Sequence, residues 1–181
     1  MDGNTRMTWD DEFFTCTVCG TENIVPASGN KSSPILIIGA YPGKEEIAKG
    51  RPFVGGTGEI FRIELAKVGI DMRGARLCNL WQHAPWKNQK EEHYFGCLEN
   101  GATQAIAEAK GKKAILLVGA STVKYFTGFS VSDVAGLCVK SDYLSAPIIV
   151  AMHNPAQAFH SALGEIRLSL QKFGKLVDTV L

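Results

Sequence analysis

Four short apolar runs punctuate the chain, and each ends at a turn or at a polar side chain. The first, at 34–39, contains Ile35-Leu36-Ile37-Ile38 and breaks into Gly39-Ala40-Tyr41-Pro42-Gly43. Similar runs follow at 75–81 (ARLCNLW), 114–119 (AILLVG) and 147–152 (PIIVAM). Aliphatic stretches of this length predict strands buried on both faces, the second of them interrupted by Arg76 and Asn79. Between them the apolar period changes. Ile60, Phe61, Leu65 and Val68 recur at helical spacing over 57–68, with Gly69 as a stop. A longer helix is expected over 91–110, although Gly96 and Gly101 each weaken it by roughly 1 kcal/mol against Ala. A short helix is expected at 120–126. A last one, at about 161–179, turns Leu163, Ile166, Leu170, Phe173 and Val177 inward. Residues 1–33 and 82–90 lack periodicity. Strands alternating with helices predict a parallel sheet covered on both faces.

That topology brings distant residues together. Ligand sites in open α/β sheets lie outside the carboxyl ends of the strands. Three of the four ends carry an uncommon residue: the 39–43 loop, Asn79 and His153. A second loop, Gly50-Arg51-Pro52-Phe53-Val54-Gly55-Gly56-Thr57-Gly58, holds an aromatic between glycines. An amide, an imidazole and a phenyl ring converging at one edge suit a planar ring with polar edges. Each also has a plain structural role: Asn79 as a turn residue, Phe53 as core, His153 as a loop histidine. Neither GxGxxG nor GxxxxGK[ST] is present, so these glycines do not form a familiar nucleotide loop.

Composition narrows the field. A chain of 181 residues with 45% hydrophobic and 20% charged positions is expected to fold as one domain, 1–181, with an irregular N-terminal arm at about 1–33. A net charge of +1 gives no global attraction to polyanions, so any nucleic-acid contact must be local. No run reaches the ~18 apolar residues of a membrane span, and the N-terminus is too polar for a signal peptide. A cytoplasmic location is expected, where the five cysteines serve as ligands or core rather than disulfides.

The spacing of the two glycine loops resembles the first motif of the uracil-DNA glycosylase superfamily, above all its iron–sulfur (family 4) branch. There a GEAPG-type loop precedes GRPFVG by six residues, as Gly39–Gly43 precedes Gly50–Gly55 here. Asn79 stands where the family has its uracil-reading asparagine. Leu117-Val118-Gly119-Ala120 is similar to its third-strand pattern, and Met152-His153-Asn154-Pro155 to its His-Pro-Ser motif. The resemblance covers about residues 14–160 and implies a three-layer α/β/α fold around a central four-stranded parallel sheet.

It also implies a metal site. The branch binds a [4Fe-4S] cluster through a CxxC and two later cysteines; Cys16, Cys19 and Cys97 match three of them, and His83 replaces the fourth. A Cys3His set suits zinc as well as a cluster. Cys78 is a competing fourth ligand, but its place inside a strand suits a small buried residue. Either metal would staple the N-terminal arm to 82–97.

The function implied is a monofunctional DNA glycosylase, acting as a monomer on DNA with no membrane association. A flipped pyrimidine would meet Gly39, Ala40, Phe53, Asn79 and His153, with Phe53 stacking, Asn79 reading and His153 donating to the departing base. Asn154, Pro155, Gln157 and Phe159 would lie near the minor groove, Gln157 or Phe159 as a wedge. Ala40-Tyr41 departs from the family, which has a carboxylate after the first glycine, and leaves Tyr41 as the polar candidate for a catalytic role there. Losing such a group costs on the order of 10²–10⁴ in rate. Glu46 and Glu59 are the nearest replacements. The proline of the second motif also comes one position late. These departures point to uracil or a modified pyrimidine, including bulky bases of invading viral DNA. The rivals are a catalytically silent reader of flipped bases and a small-molecule nucleosidase.

Overall fold

A computed structural model describes residues 15–156 and 163–181. Four parallel strands form its centre: β2 (Ile35–Gly39), β3 (Arg76–Asn79), β4 (Ala114–Val118) and β5 (Ile148–Met152). They lie in the order β3-β2-β4-β5, and a two-residue strand, β1 (Ser28–Gly29), pairs antiparallel outside β3. The sheet is therefore mixed and five-stranded, one strand more than the expected four. No periodicity can mark so short a strand. What holds it is Arg76, whose guanidinium donates to the Gly29 carbonyl at 3.1 Å while pairing with Glu108.

The strands alternate their side chains between two cores, as a pleat of period two requires. Leu36, Ile38, Leu80, Ile115 and Leu117 pack on α3 (Glu91–Ala109), α4 (Ala120–Thr127) and α5 (Val131–Val134). Ile37, Leu77, Leu116 and Val150 meet α2 (Gly56–Ala66) and α6 (Leu163–Val177) on the other side. The expected three-layer α/β/α architecture is the observed one. A further helix, α1 (Lys44–Lys49), forms in the polar stretch between the glycine loops, where no apolar face announced it. The N-terminal arm packs on α3, where a side chain at Gly96 would come within 2.8 Å of Val18. This glycine, a weakness by propensity, is an opening for the arm. No helix of the described residues is long and apolar enough to cross a membrane.

The α2–α6 layer is pinned by a buried carboxylate. Glu64, 7% exposed, accepts from Nε and Nη2 of Arg167 at 3.0 Å and from the Lys67 ammonium at 2.7 Å. Hydrogen bonding from Arg167, against the opposing effect of burial, holds its pKa at about 2, well below the ordinary 4.5. A carboxyl whose folded pKa is depressed stabilises fully above its unfolded value and loses that contribution as pH falls through the folded one. The partners are half exposed, which limits the contribution to about 1 kcal/mol. Glu64→Gln should therefore melt below the wild type at pH 7, with the gap closing between pH 4.5 and 2. Thermal melts across that range check it; a gap unchanged at pH 2 would assign the loss to packing.

Candidate active site and metal centre

The carboxyl ends of β2 and β3 open into a cavity of about 340 Å³. Its floor is Gly39, the last residue of β2. A Cβ built there would sit 2.5 Å from Asn79 Oδ1 and 2.8 Å from Phe53 Cζ. The absence of a side chain at 39 is thus what leaves room between the amide and the ring. Asn79 ends β3 and is 8% exposed, and its amide has no hydrogen-bond partner among the described residues. Hydrogen bonds from Leu80 N to Gly39 O and from Trp81 N to Ala40 O, both 2.8 Å, continue the ladder past the strands and fix this edge.

Phe53 is held by unusual backbone. Its φ is +56°, a conformation that costs a non-glycine residue of order 1 kcal/mol and clusters at functional sites. The ring packs at 5.5 Å, tilted, against Phe61 of α2, which secures one side and leaves the other to the cavity. Glu46 supplies the link between the loops: it accepts the Gly43 N–H at 3.1 Å and the Gly55 N–H at 2.8 Å. Both its oxygens are engaged, so it positions the two loops, and it also lines the cavity. Glu59 pairs with Arg62 on the exposed face of α2 and does not line the cavity. Ala40 and Tyr41 do line it; Tyr41 is half exposed and meets Trp81 edge-on at 6.5 Å.

His153 is elsewhere. Its imidazole turns toward α6, with Nε2 3.3 Å from Glu165 Oε2, and lines a neighbouring cavity with Ser132, Ser169 and Lys172. Among the described residues, then, it does not border the space lined by Asn79 and Phe53, although that was expected of it. Successive residues leave an extended chain in opposite directions, and it is Asn154, followed by Pro155, that faces the cavity. The signal was in the sequence: the proline that comes one position late. Gln157 and Phe159, the expected wedge, lie outside the described residues.

The four expected metal ligands do meet. Cys16 Sγ lies 3.7 Å from Cys97 Sγ, and Cys19 Sγ lies 3.5 Å from His83 Nε2. All four donor atoms are within 4.8 Å of one another. Ligands of one tetrahedral ion, with metal–sulfur and metal–nitrogen bonds of about 2.3 and 2.0–2.1 Å, stand roughly 3.8 Å (S–S) and 3.5 Å (S–N) apart. A four-iron cube carries each ligand beyond its own iron and spreads them to roughly 6 Å. His83, buried, has Nδ1 3.1 Å from the Ala84 carbonyl; donation from Nδ1–H to it leaves Nε2 free to bind. Gln89 donates to Cys97 Sγ at 3.7 Å. Although burial opposes ionisation of Cys16, the N–H groups of Cys19 and Val18 hold its thiol below the ordinary value. Burial pushes the Cys78 thiol up to about 12, and it takes no part in the cluster.

A sequence profile of the Uracil DNA glycosylase superfamily matches residues 26–177. A Type-4 uracil-DNA glycosylase of Thermotoga maritima is 27% identical over 161 residues, covering 84% of this chain and 82% of that protein. One of Pyrobaculum aerophilum is 26% identical over 162 residues, with 84% and 82% covered. One of Archaeoglobus fulgidus reaches 32% over 82 residues, 43% of this chain and 41% of its own. With the profile spanning sheet, cavity and both glycine loops, the chain belongs to the uracil DNA glycosylase superfamily.

Proposed function

We propose that the protein is a monofunctional DNA glycosylase that hydrolyses the N-glycosidic bond of uracil or a modified pyrimidine flipped out of DNA, leaving an abasic site. The observation that carries this is the convergence of Gly39, Phe53 and Asn79 on one cavity. A planar base slides between the Phe53 ring and the loop, over a floor that no side chain obstructs. The free Asn79 carboxamide, one donor and one acceptor, matches the N3–H and O4 edge of a pyrimidine. The Type-4 uracil-DNA glycosylases among its relatives support the same chemistry.

One observation favours a base larger than uracil. Ala40 and the exposed Tyr41 line the cavity where a carboxylate would otherwise narrow it. With no carboxylate there, the wall of this open cleft can admit a substituent that a bare uracil lacks. We infer that bulky modified bases of viral DNA are candidate substrates, which would give the enzyme a defensive role. Oligonucleotides carrying uracil, thymine, 5-hydroxymethyluracil, 5-hydroxymethylcytosine and its glucosylated form decide between them. Alkali-labile abasic sites are expected from at least one. Silence across the panel with tight binding retained would overturn excision and make the protein a reader of flipped bases.

We further infer that the Cys3His site holds one zinc ion in a structural role, in place of the [4Fe-4S] cluster that the resemblance implied. The support is the spacing of the ligands, which suits one tetrahedral ion. Metal analysis of protein purified without oxygen should give one zinc per chain. A brown preparation with iron and sulfide in equal amounts would overturn the inference.

A further inference from the structure

We propose that Asn154, and not His153, is the hydrogen-bond donor to the departing base. This rests on the glycosylase reading and names the group within it that receives the developing charge. Three observations carry it. Asn154 borders the same cavity as Asn79, Phe53 and Gly39, whereas His153 borders a different one beside Glu165. The Asn154 side chain is already oriented: Oδ1 accepts the Ala156 N–H at 3.0 Å, closing a turn over the buried Pro155. With the oxygen so engaged, the Nδ2 amino group is what remains for a ligand, and it has no partner among the described residues.

The chemistry suits that donor. In the reaction the C1′–N1 bond breaks and its electron pair stays with the base, which becomes an anion spread over N1 and the adjacent carbonyl oxygens. Water adds its oxygen to C1′, and the proton it sheds finally neutralises the base. A donor fixed before the reaction lowers the energy of the anion without reorganising. A carboxamide does this while neutral at every pH, and it cannot be lost by deprotonation as an imidazolium can. The turn closed by Oδ1 supplies the fixing. Gly119, the residue after β4, lies beside it: its φ is +94°, and a Cβ there would stand in ordinary contact with Asn154 Cβ at 3.7 Å.

Three variants test the assignment under single-turnover conditions on whichever substrate the wild type cleaves. Asn154→Asp keeps the oxygen that accepts the Ala156 N–H and replaces the donor by a negative oxygen. Asn154→Ala removes both. His153→Ala is the comparison. Removing one preorganised donor costs about 10²–10³ in rate, so Asn154→Ala should lose about a hundredfold in kcat with KM changed less than about threefold. Asn154→Asp should lose more while melting close to the wild type. The loss in His153→Ala should be at least ten times smaller than in Asn154→Ala. A loss in His153→Ala equal to or above that in Asn154→Ala overturns the proposal. Wild-type silence on every oligonucleotide would instead sink the glycosylase reading, and free uracil then serves as the probe. Titrated into ¹⁵N-labelled protein, it should shift the Asn154 side-chain amide; no shift at saturation of Asn79 would overturn the assignment.

Discussion

Gly39→Ala is expected to reduce excision at least a thousandfold while leaving the protein folded. The added methyl group would stand 2.5 Å from Asn79 Oδ1 and 2.8 Å from the Phe53 ring edge. Both obstructing atoms are the far ends of side chains, so the fold can relieve the clash by turning them away. Relief is what destroys function. The amide leaves the edge of the base and the ring leaves its face, and displacements of about 1 Å can each cost on the order of 10²-fold. The melting temperature should move only a few degrees, because the backbone is not what gives way. The discriminating measurement is single-turnover cleavage beside a thermal melt of the same sample. A folded Gly39→Ala that cleaves within tenfold of the wild type would show that the base does not lie against this floor.

The prediction also shows what the sequence could reveal and what it could not. Three of the four parallel strands were legible because burial on both faces writes an unbroken apolar run; β3, although buried on both faces, carries Arg76 and Asn79 and was marked by the apolar residues between and after them. Asn79 and Phe53 were legible because strand ends and glycine loops are where such a sheet collects its chemistry. The metal ligands were found through spacing within a resemblance, not by periodicity. What escaped depended on direction. Whether His153 or Asn154 enters the cavity turns on a single residue of register after β5, and both side chains are polar, so no hydrophobic pattern records the choice. β1 and α1 escaped for a related reason. Each is stabilised by a tertiary hydrogen bond, from Arg76 to Gly29 in one case and by the Glu46 carboxylate on two loop amides in the other. Glu46, expected as a catalytic replacement or a surface charge, lines the cavity while holding the two loop amides.

Removing the metal is expected to have the largest effect on stability. His83 lies four residues beyond Asn79, Cys97 lies in α3, and Cys16 and Cys19 belong to the arm, so an ion held there would join three segments otherwise linked by the Val25 N–H bond to the Gln82 carbonyl, the Gln82–Gln104 pair and the packing of Val18 on Gly96. A ligand that binds only the folded state adds about 4 kcal/mol at a thousandfold excess over its dissociation constant. At 2–4 °C per kcal/mol for a chain of this size, stripping should lower Tm by about 8–16 °C. Cys97→Ala should do the same without a chelator. Protons compete for thiolate and imidazole, so the metal should leave more readily as pH falls. Loss of metal should also slow excision, because the segment released begins immediately after the residues that carry Asn79. Adding zinc back to the stripped protein should restore both Tm and rate together. Verified removal with Tm unchanged would mean that the packing of Val18, Ile24 and Val25 and the Val25 N–H bond to the Gln82 carbonyl hold the arm, with the ion a passenger.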